Sequence, residues 1–431
     1  MAFGRFQDFL GALVRRHRGR LFAGKDQSSI EDLLEKLMGT NGEVSAIVTA
    51  RELLDRYRAL PTKEKLDFFT HIEQNYNADP QAIAAAYKTY AANSNSGNLN
   101  KLSRVTEPRR HELLRRLNQT PDATHDLVSM RSDLLEELKA HPELKAVDDD
   151  FVRMFTSWFG RGFLVLQTIN WSTSAAILER IIRYEAVHEI KDWDDLRRRI
   201  DPPNRRCFAF FHPALVDEPL IFVEVALGQD IPGSISAILG DHIDAENLSP
   251  EFNSATFYSI SNCQPGLKNI SFGNFLIKQV VQELQAEFPT IKHFVTLSPI
   301  PGFESWLQAD RGDEPAALTA LKQEMRTHTR EGETTEEAAQ LLRRAIFNYL
   351  VLAKSNKYPA DAVARFHLGN GAMIHQVHIA ADVSKKGLSQ SRGAMVNYLY
   401  DLRFIERNHE SYVTDGVVQH SEKLKSLLVK L

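Results

Sequence analysis

The sequence predicts a multidomain α+β chain: an all-helical region over residues 1–157, then a domain built on a mixed β-sheet with helical insertions over residues 158–431. Three observations carry this. Up to about residue 155, apolar residues recur at helical spacing with few β-branched runs between them. From Ala255 to Phe303 the pattern changes to strand, glycine-bearing loop, helix and strand. The length of 431 residues is too great for one small core.

Composition narrows the class. With 43% hydrophobic and 25% charged residues, the chain is an ordinary globular one. A net charge of -4 gives no overall attraction to nucleic acid. Two cysteines, Cys207 and Cys263, form no disulfide framework and no C-x-x-C pair, which favours a reducing compartment. Cys263 reads as a small packing residue. No apolar run reaches the ~20 residues of a membrane helix. Residues 1–24 carry Arg5, Arg15, Arg16, Arg18 and Arg20 among apolar residues. They read as the first helix of the folded domain, or as a transit peptide. The first reading gives a cytoplasmic location, the second the mitochondrial matrix.

In the helical region, Ser29-Ile30-Glu31-Asp32 has the form of a capping start, with Leu33, Leu34 and Leu37 on one face. Further helices are expected over Val44–Leu60, Lys63–Tyr76, Asp79–Tyr90, Arg109–Leu117 and Asp122–Lys139. His111, His125 and His141 are isolated and are expected at the surface or at helix ends. The helical pattern breaks between Asp148 and Phe163. Three adjacent side chains cannot converge on a metal, so Asp148-Asp149-Asp150 reads as a solvated face or a helix start. An oligomerisation or regulatory module and a structural cap both remain open for this region.

Beyond the boundary, Leu164–Ile169 suggests a strand and Ala175–Glu185 a helix. The arginines at 197–199 and at 205–206 form a basic cluster, either solvated or a phosphate anchor. Cys207–Phe211 and Leu220–Leu227 read as a hairpin and Thr256–Ser261 as the next strand. Ile235–Leu239 is a short element before an acidic loop from Asp241 to Glu251. Leu276, Val280, Leu284 and Phe288 step along a helix that Pro289 ends, and Lys292–Leu297 is a strand. Helices follow over Ala316–Glu324, Thr335–Ala353 and Ala360–Phe366. A sharp turn follows at His367–Ala372 and a strand over Met373–Ile379. Ser389–Tyr400 is expected as the last long helix, with a terminal one from Ser421.

The loop Gly266–Gly273 precedes a helix N-terminus, where unpaired N–H groups and the helix dipole favour a phosphate, and Lys268 adds charge. Its spacing is neither G-x-G-x-x-G nor G-x-x-x-x-G-K-[ST]. A phosphate cradle and an ordinary crossover turn both fit. Ser298, followed by Pro299-Ile300-Pro301-Gly302, reads by itself as a turn residue without the G-x-S-x-G setting of a hydrolase nucleophile. His367 alone reads as a structural histidine.

Several motifs change that weighting. They are Gln264-x-Gly266-Leu267, Gly273-x-Phe275-Leu276-Ile277-Lys278 and Leu297-Ser298-Pro299-Ile300-Pro301-Gly302-Phe303. Phe366-His367-Leu368-x-Asn370-Gly371-Ala372, Ala381-Asp382-Val383-Ser384 and Asn397-Tyr398-x-Tyr400 follow in the same order. Together the chain resembles the malonyl-CoA decarboxylase family, over its C-terminal two-thirds. The resemblance implies a GNAT-like, acyl-CoA-binding catalytic domain behind a helical domain. It implies conversion of malonyl-CoA to acetyl-CoA and CO2 through a thioester enolate.

Such chemistry needs the carboxylate held out of the thioester plane, donors for the enolate oxygen and an acid for carbon. The resemblance assigns Ser298 to positioning carboxylate and proton, and His367 to proton donation. Tyr400 and Ser259 match further active-site residues. Lys268, Asn269, Ile270, Ser271, Phe272, Gly273, Asn274 and Ile277 match the acyl-CoA-binding loop, with Asn269 where the family often has glycine. No metal, biotin or pyridoxal is required, because the thioester is the electron sink and coenzyme A is part of the substrate. The expected partners are malonyl-CoA, acetyl-CoA and further copies of the chain through the helical domain. A GNAT-type acyltransferase, a non-catalytic acyl-CoA sensor and a thioesterase are the alternatives.

Overall fold

The computed structural model describes residues 28–240, 251–270, 275–310, 314–328 and 335–430. The Arg-rich segment at residues 1–24, most of the acidic loop, and Ser271, Phe272, Gly273 and Asn274 lie outside these. The chain forms two compact units. Among the described residues, the first comprises 28–165 with two later pieces, 212–216 and 264–270.

The first unit is helical: α1 (Ile30–Gly39), α2 (Glu43–Ala59), α3 (Thr62–Asn75), α4 (Pro80–Ala92), α5 (Ser96–Thr106), α6 (Arg109–Leu117), α7 (Ala123–Glu137) and α8 (Lys145–Trp158). Ser29 and Asp32 make the reciprocal capping box expected of them. Asp79 caps α4 with Pro80 in its first turn, where the missing N–H costs nothing. Leu33, Leu34, Leu37, Leu53, Leu54, Leu127, Leu134, Phe151 and Phe155 fill the core. Tyr57, Phe68 and Phe69 pack edge-on, with ring centroids 5.0–5.9 Å apart.

The helical pattern breaks inside the expected interval, but after the acidic triplet: α8 runs through Asp148–Asp150 and ends at Trp158. Asp148 lies in the first turn of α8, so the triplet stands at a helix start, but it is not a solvated face. Asp148 and Asp150 flank the apolar stripe of α8 and are buried, while Asp149 is exposed. Asp148 accepts from Arg131 Nε at 2.8 Å. Asp150 binds Arg110, and lies 2.6 Å from Nε2 of His111. His111 is therefore interior, although it stands in the first turn of α6, one of the two places expected for it. Partners far away in sequence reverse the reading: a buried charge persists when hydrogen-bonded and paired.

The second unit holds an eight-stranded mixed sheet. Its strands are β1 (Val165–Ile169), β2 (Arg205–Phe211), β3 (Pro219–Gly228), β4 (Ser254–Asn262), β5 (His293–Thr296), β6 (Ser298–Pro299), β9 (Met373–His378) and β10 (Met395–Leu399), with a separate hairpin of β7 (Lys354–Ser355) and β8 (Tyr358–Pro359). The order is β1-β2-β3-β4-β5-β10-β6, and β9 pairs with β10. β2, β3 and β4 are antiparallel, while β5 is parallel to β4 across the helix Phe275–Glu287. This is the helical region followed by a mixed sheet that the sequence predicts.

The helices of this unit are α9 (Ala175–Tyr184), α10 (Trp193–Ile200), α11 (Ile235–Leu239), α12 (Phe275–Glu287), α13 (Phe303–Gln308), α14 (Ala316–His328), α15 (Glu336–Leu352), α16 (Ala362–Gly369), α17 (Lys385–Ser391) and α18 (Ile405–Asp415). α9 and α10 bury Ile177, Leu178, Ile181, Leu196 and Ile200 with Cys207, Ala209, Phe211, Phe222 and Cys263, so both cysteines are core residues.

The long helix expected over Ser389–Tyr400 is instead α17 followed by β10. Arg392 and Gly393 take left-handed conformations, with φ of 53° and 77°, and end the helix. The spacing of Met395, Tyr398 and Leu399 imitates a helix, but their backbone is captured by β5, β6 and β9. The segment from Ser421 forms a 3₁₀ turn, Glu422–Leu427.

The helical unit depends on its buried ion pairs. Asp150→Ala leaves the buried Arg110 without its carboxylate and His111 with Glu107 alone. It should destabilise the protein by about 3–5 kcal/mol in urea unfolding; a loss below about 1 kcal/mol would contradict this account.

Candidate active site

The parallel ladder between β4 and β5 runs from Ser254↔His293 to Phe257↔Thr296 and stops. Leu297 N–H still reaches Phe257 O at 2.9 Å. Beyond that point β4 continues with β3 alone, and Ser298-Pro299 turns to pair with β10. A register shift between Glu224 and Val225 in the β3–β4 ladder adds a bulge at Tyr258.

The opened space is a cavity of about 280 Å³. Ile221, Val223, Phe257, Ile260, Leu276, Ile277, Val187, Leu297, Pro299, Ala362, Val363 and Phe366 give it an apolar lining. Tyr258, Asn262, Ser298 and His367 supply the polar groups, and no lysine, arginine, aspartate or glutamate lines it among the described residues.

One chain of hydrogen bonds borders this cavity. His367 Nε2 lies 3.0 Å from Ser298 Oγ, and its Nδ1 lies 2.7 Å from the Tyr400 hydroxyl. The imidazole stacks on Tyr398, with centroids 4.6 Å apart. The local sequence explains the convergence. Thr296 and Ser298 are two residues apart on neighbouring strand segments, as are Tyr398 and Tyr400 at the end of β10. Antiparallel pairing, with Val396 opposite Ser298 and Leu399 opposite Val295, brings the two sets together.

His367 sits in the last turn of α16. Asp361 caps that helix, accepting from Ala364 N–H at 2.9 Å, and its other oxygen accepts Gly302 N–H at 3.2 Å. The loop after Ser298 is thus tied to the helix carrying His367. Gly371 ends the motif because its φ is 85° and a Cβ there would lie 2.2 Å from Ile405 O.

The tautomer follows from counting protons. Ser298 donates its proton to Thr296 Oγ1 at 2.7 Å, an oxygen that also accepts Tyr398 N–H at 3.3 Å. Ser298 Oγ must then accept from His367, so Nε2 carries the hydrogen and Nδ1 accepts from Tyr400. Burial lowers the imidazole to about 3 and pushes the Tyr400 phenol well above its ordinary value. All four groups are therefore neutral near pH 7.

Ser298, His367, Tyr400 and Ile277 thus gather at or beside the cavity. Ser259 does not. It is absent from the lining, and its hydroxyl donates to Glu185 at 2.7 Å. Lys268 and Asn269 are exposed and Ile270 is buried. Lys268 N–H donates to Pro265 O and Ile270 N–H to Leu267 O, which removes both amides from any anion cradle. Asn269 takes φ of 65°, a left-handed conformation that asparagine tolerates better than most residues and that explains a family glycine there. Within the helical unit, Arg131 donates to the carbonyls of Gly266 and Lys268 at 2.7 and 2.9 Å. A Cβ on Gly266 would lie 1.9 Å from Val128 O.

The basic cluster is no free phosphate anchor. Arg197 pairs with Asp201, Arg198 with Asp195, Arg199 with Asp195 and Glu224, and Arg206 with Glu287. Arg205 is buried against the Ile238 carbonyl. Thr296 and Tyr398 carry no motif that marks them, although alternation along Thr296-Leu297-Ser298 and Tyr398-Leu399-Tyr400 places each beside a marked residue. Among the described residues no group of three or more His, Cys, Asp or Glu side chains is placed to hold a metal.

The buried imidazole makes a pH prediction. In the unfolded chain it binds a proton below about 6.5, in the folded one only near 3. Its contribution to stability is complete above about 6.5 and is lost as pH falls toward 3. The difference in unfolding free energy between the parent and His367→Asn should therefore shrink through that window. A difference that stays constant from pH 7 to pH 4 would contradict the assignment.

Comparison with known proteins agrees over most of the chain. A family model described as the malonyl-CoA decarboxylase C-terminal domain matches residues 162–431, and one described as the malonyl-CoA decarboxylase N-terminal domain matches residues 76–159. Mitochondrial malonyl-CoA decarboxylase of Anser anser anser is 36% identical, covering 74% of this chain and 69% of its own length. That of Rattus norvegicus is 35% identical, covering 75% and 72%. The crystal structure of malonyl-CoA decarboxylase from Rhodopseudomonas palustris has 44% identity and a TM-score of 0.84, covering 92% of this chain and 98% of that one. The one from Agrobacterium vitis has 44% identity and a TM-score of 0.83, covering 94% and 100%.

Proposed function

Because the chain belongs to the malonyl-CoA decarboxylase family, we propose that it converts malonyl-CoA to acetyl-CoA and CO2 at the cavity bordered by Ser298 and His367, without metal or organic cofactor. The observation that carries this reading is an uncharged cavity ending in neutral hydrogen-bond donors. The bond between the α-carbon and the carboxylate breaks, its electron pair passes into the thioester enolate, and a proton then joins the α-carbon. A cationic lining would hold the carboxylate in its ground state. An apolar one leaves it poorly solvated, while the enolate that replaces it is delocalised.

Ser298 orients the incoming proton, because its oxygen accepts the His367 N–H, and it positions the carboxylate by turning its own hydroxyl from Thr296; His367 supplies the proton. A thioester enolate is a much stronger base than imidazolate, so a neutral imidazole N–H is acid enough. Tyr400 donates to Nδ1 and steadies the ring until solvent returns the proton. The same geometry disfavours the alternatives. A thioesterase needs the serine proton on its way to histidine, yet Ser298 gives it to Thr296. An acyltransferase needs a base for its amine, and an imidazole lowered to about 3 is a poor one.

Lys268 to Asn274 is proposed as the coenzyme A segment and Ile277 as acyl contact. Support for the segment comes from the motif and the Lys268 charge. Ser259 supports the site indirectly. A helix that buries none of its residues, α5, with Leu99 48% exposed, supports self-association through the helical unit. Two reduced, buried cysteines suit the cytoplasm, or the matrix if residues 1–24 are a transit peptide.

Ser298→Ala should lower kcat on the order of 10²–10³-fold and His367→Asn about 10²–10⁴-fold, with much smaller changes in malonyl-CoA binding. The double variant should be little worse than the poorer single. In D2O one deuterium should enter the acetyl methyl group. Near-full turnover by folded His367→Asn would place the acid elsewhere. Activity should also survive exhaustive chelation; loss restored by one metal would overturn the cofactor-free route.

A further inference from the structure

Glu185 follows α9, and its carboxylate does two jobs at once. One oxygen accepts the N–H groups of Val187 and His188, each at 2.7 Å. The other accepts the hydroxyls of Ser259 at 2.7 Å and Ser261 at 3.2 Å. Ala186 N–H adds a 3.3 Å bond to Ser261 Oγ. These contacts fall on the half of β4 that has lost β5 as a neighbour, where the strand has no ladder on that side to hold it.

Strand alternation gives them meaning. Ser259 and Ser261 face Glu185, whereas Ile260 between them lines the cavity, as does Val187. One carboxylate therefore pins both pieces of a single wall. We infer that Glu185 is a positioning residue that fixes the width of the acyl cavity and so sets discrimination between malonyl thioesters and their α-substituted homologues. This rests on the reading of that cavity as the malonyl site. Ser259 then acts through Glu185 rather than on the substrate.

An extra α-methyl group must displace wall atoms in a closely packed surround. With the carboxylate in place, Val187 cannot retreat without breaking bonds to its own and the next amide, nor Ile260 without breaking those of both flanking serines. Without it, the wall yields. One methylene in an apolar pocket is ordinarily discriminated by about 10–200-fold, which sets the range available to be lost.

The experiment compares kcat/KM for malonyl-CoA and its α-methyl homologue in the parent, Glu185→Ala, Glu185→Gln, Val187→Ala and Ser259→Ala/Ser261→Ala. Val187→Ala and Glu185→Ala should each lower the ratio about tenfold. The paired serine variant should do likewise and add nothing to Glu185→Ala, because they share one clamp. Glu185→Gln keeps an acceptor for the amides and a donor for the serine oxygens, and should recover most of the ratio.

A parent-like ratio in folded Glu185→Ala, or in Val187→Ala, overturns the inference. If Glu185→Ala fails to fold, Val187→Ala and the paired serine variant decide it. Equilibrium binding of acetyl-CoA against propionyl-CoA in the same proteins reads the wall without turnover. A parent that binds both but decarboxylates neither malonyl thioester defeats the decarboxylase reading alone, and the binding ratio still tests Glu185.

Discussion

Everything distinctive about the second unit follows from one interruption. After Phe257 the parallel ladder ends, and two neighbouring strands stop sharing hydrogen bonds. A sheet normally keeps its backbone groups paired, so a parting in its middle needs other partners for what is released. Here they are found locally. Ser298-Pro299 is taken up by β10, and the β4 edge is covered by the Glu185 segment. The cavity is the space between those two solutions, which is why its walls and its polar end come from different parts of the chain.

The two units bury charge in similar ways but with different results. In the helical unit, Asp148 and Asp150 keep basic partners and lock helices together. On β3, opposite Ser259 of β4, Glu224 is fully buried, and burial with the nearby Glu185 charge raises its carboxyl to about 8. It is largely protonated near neutral pH, although Arg199 lies 3.4 Å away. Glu185 keeps its acceptors engaged by amides and hydroxyls. The acid with many oriented donors fixes geometry, and the one without them gives up its charge.

How much of this could be read from the chain depends on the range of each interaction. The order strand, loop, helix, strand at residues 255–303 was legible because each element carries its own periodicity and stop signal. Ser298 and His367 were legible through their motifs, but their meeting was not, since 69 residues separate them. Thr296 and Tyr398 lay within reach of a two-residue alternation argument. Glu185 gave no signal, because its serine partners are 74 and 76 residues away and its neighbours form no motif. The burial of Asp148 and Asp150 was not legible for the same reason: sequence displays a charge but not its counter-charge. β10 was misread because three apolar residues happened to fit a helical step, and cross-strand pairing outweighed that local pattern.

Asp361 has a consequence of its own. By accepting N–H groups from both Gly302 and Ala364, it joins the backbone following the serine to the start of the histidine helix. None of these bonds involves Val187 or Ile260. Ser298, His367 and Tyr400 are thereby held within hydrogen-bond distance of one another by the fold itself. The spacing of serine and histidine is thus a property of the backbone that carries them, set by one carboxylate between a loop and a helix start.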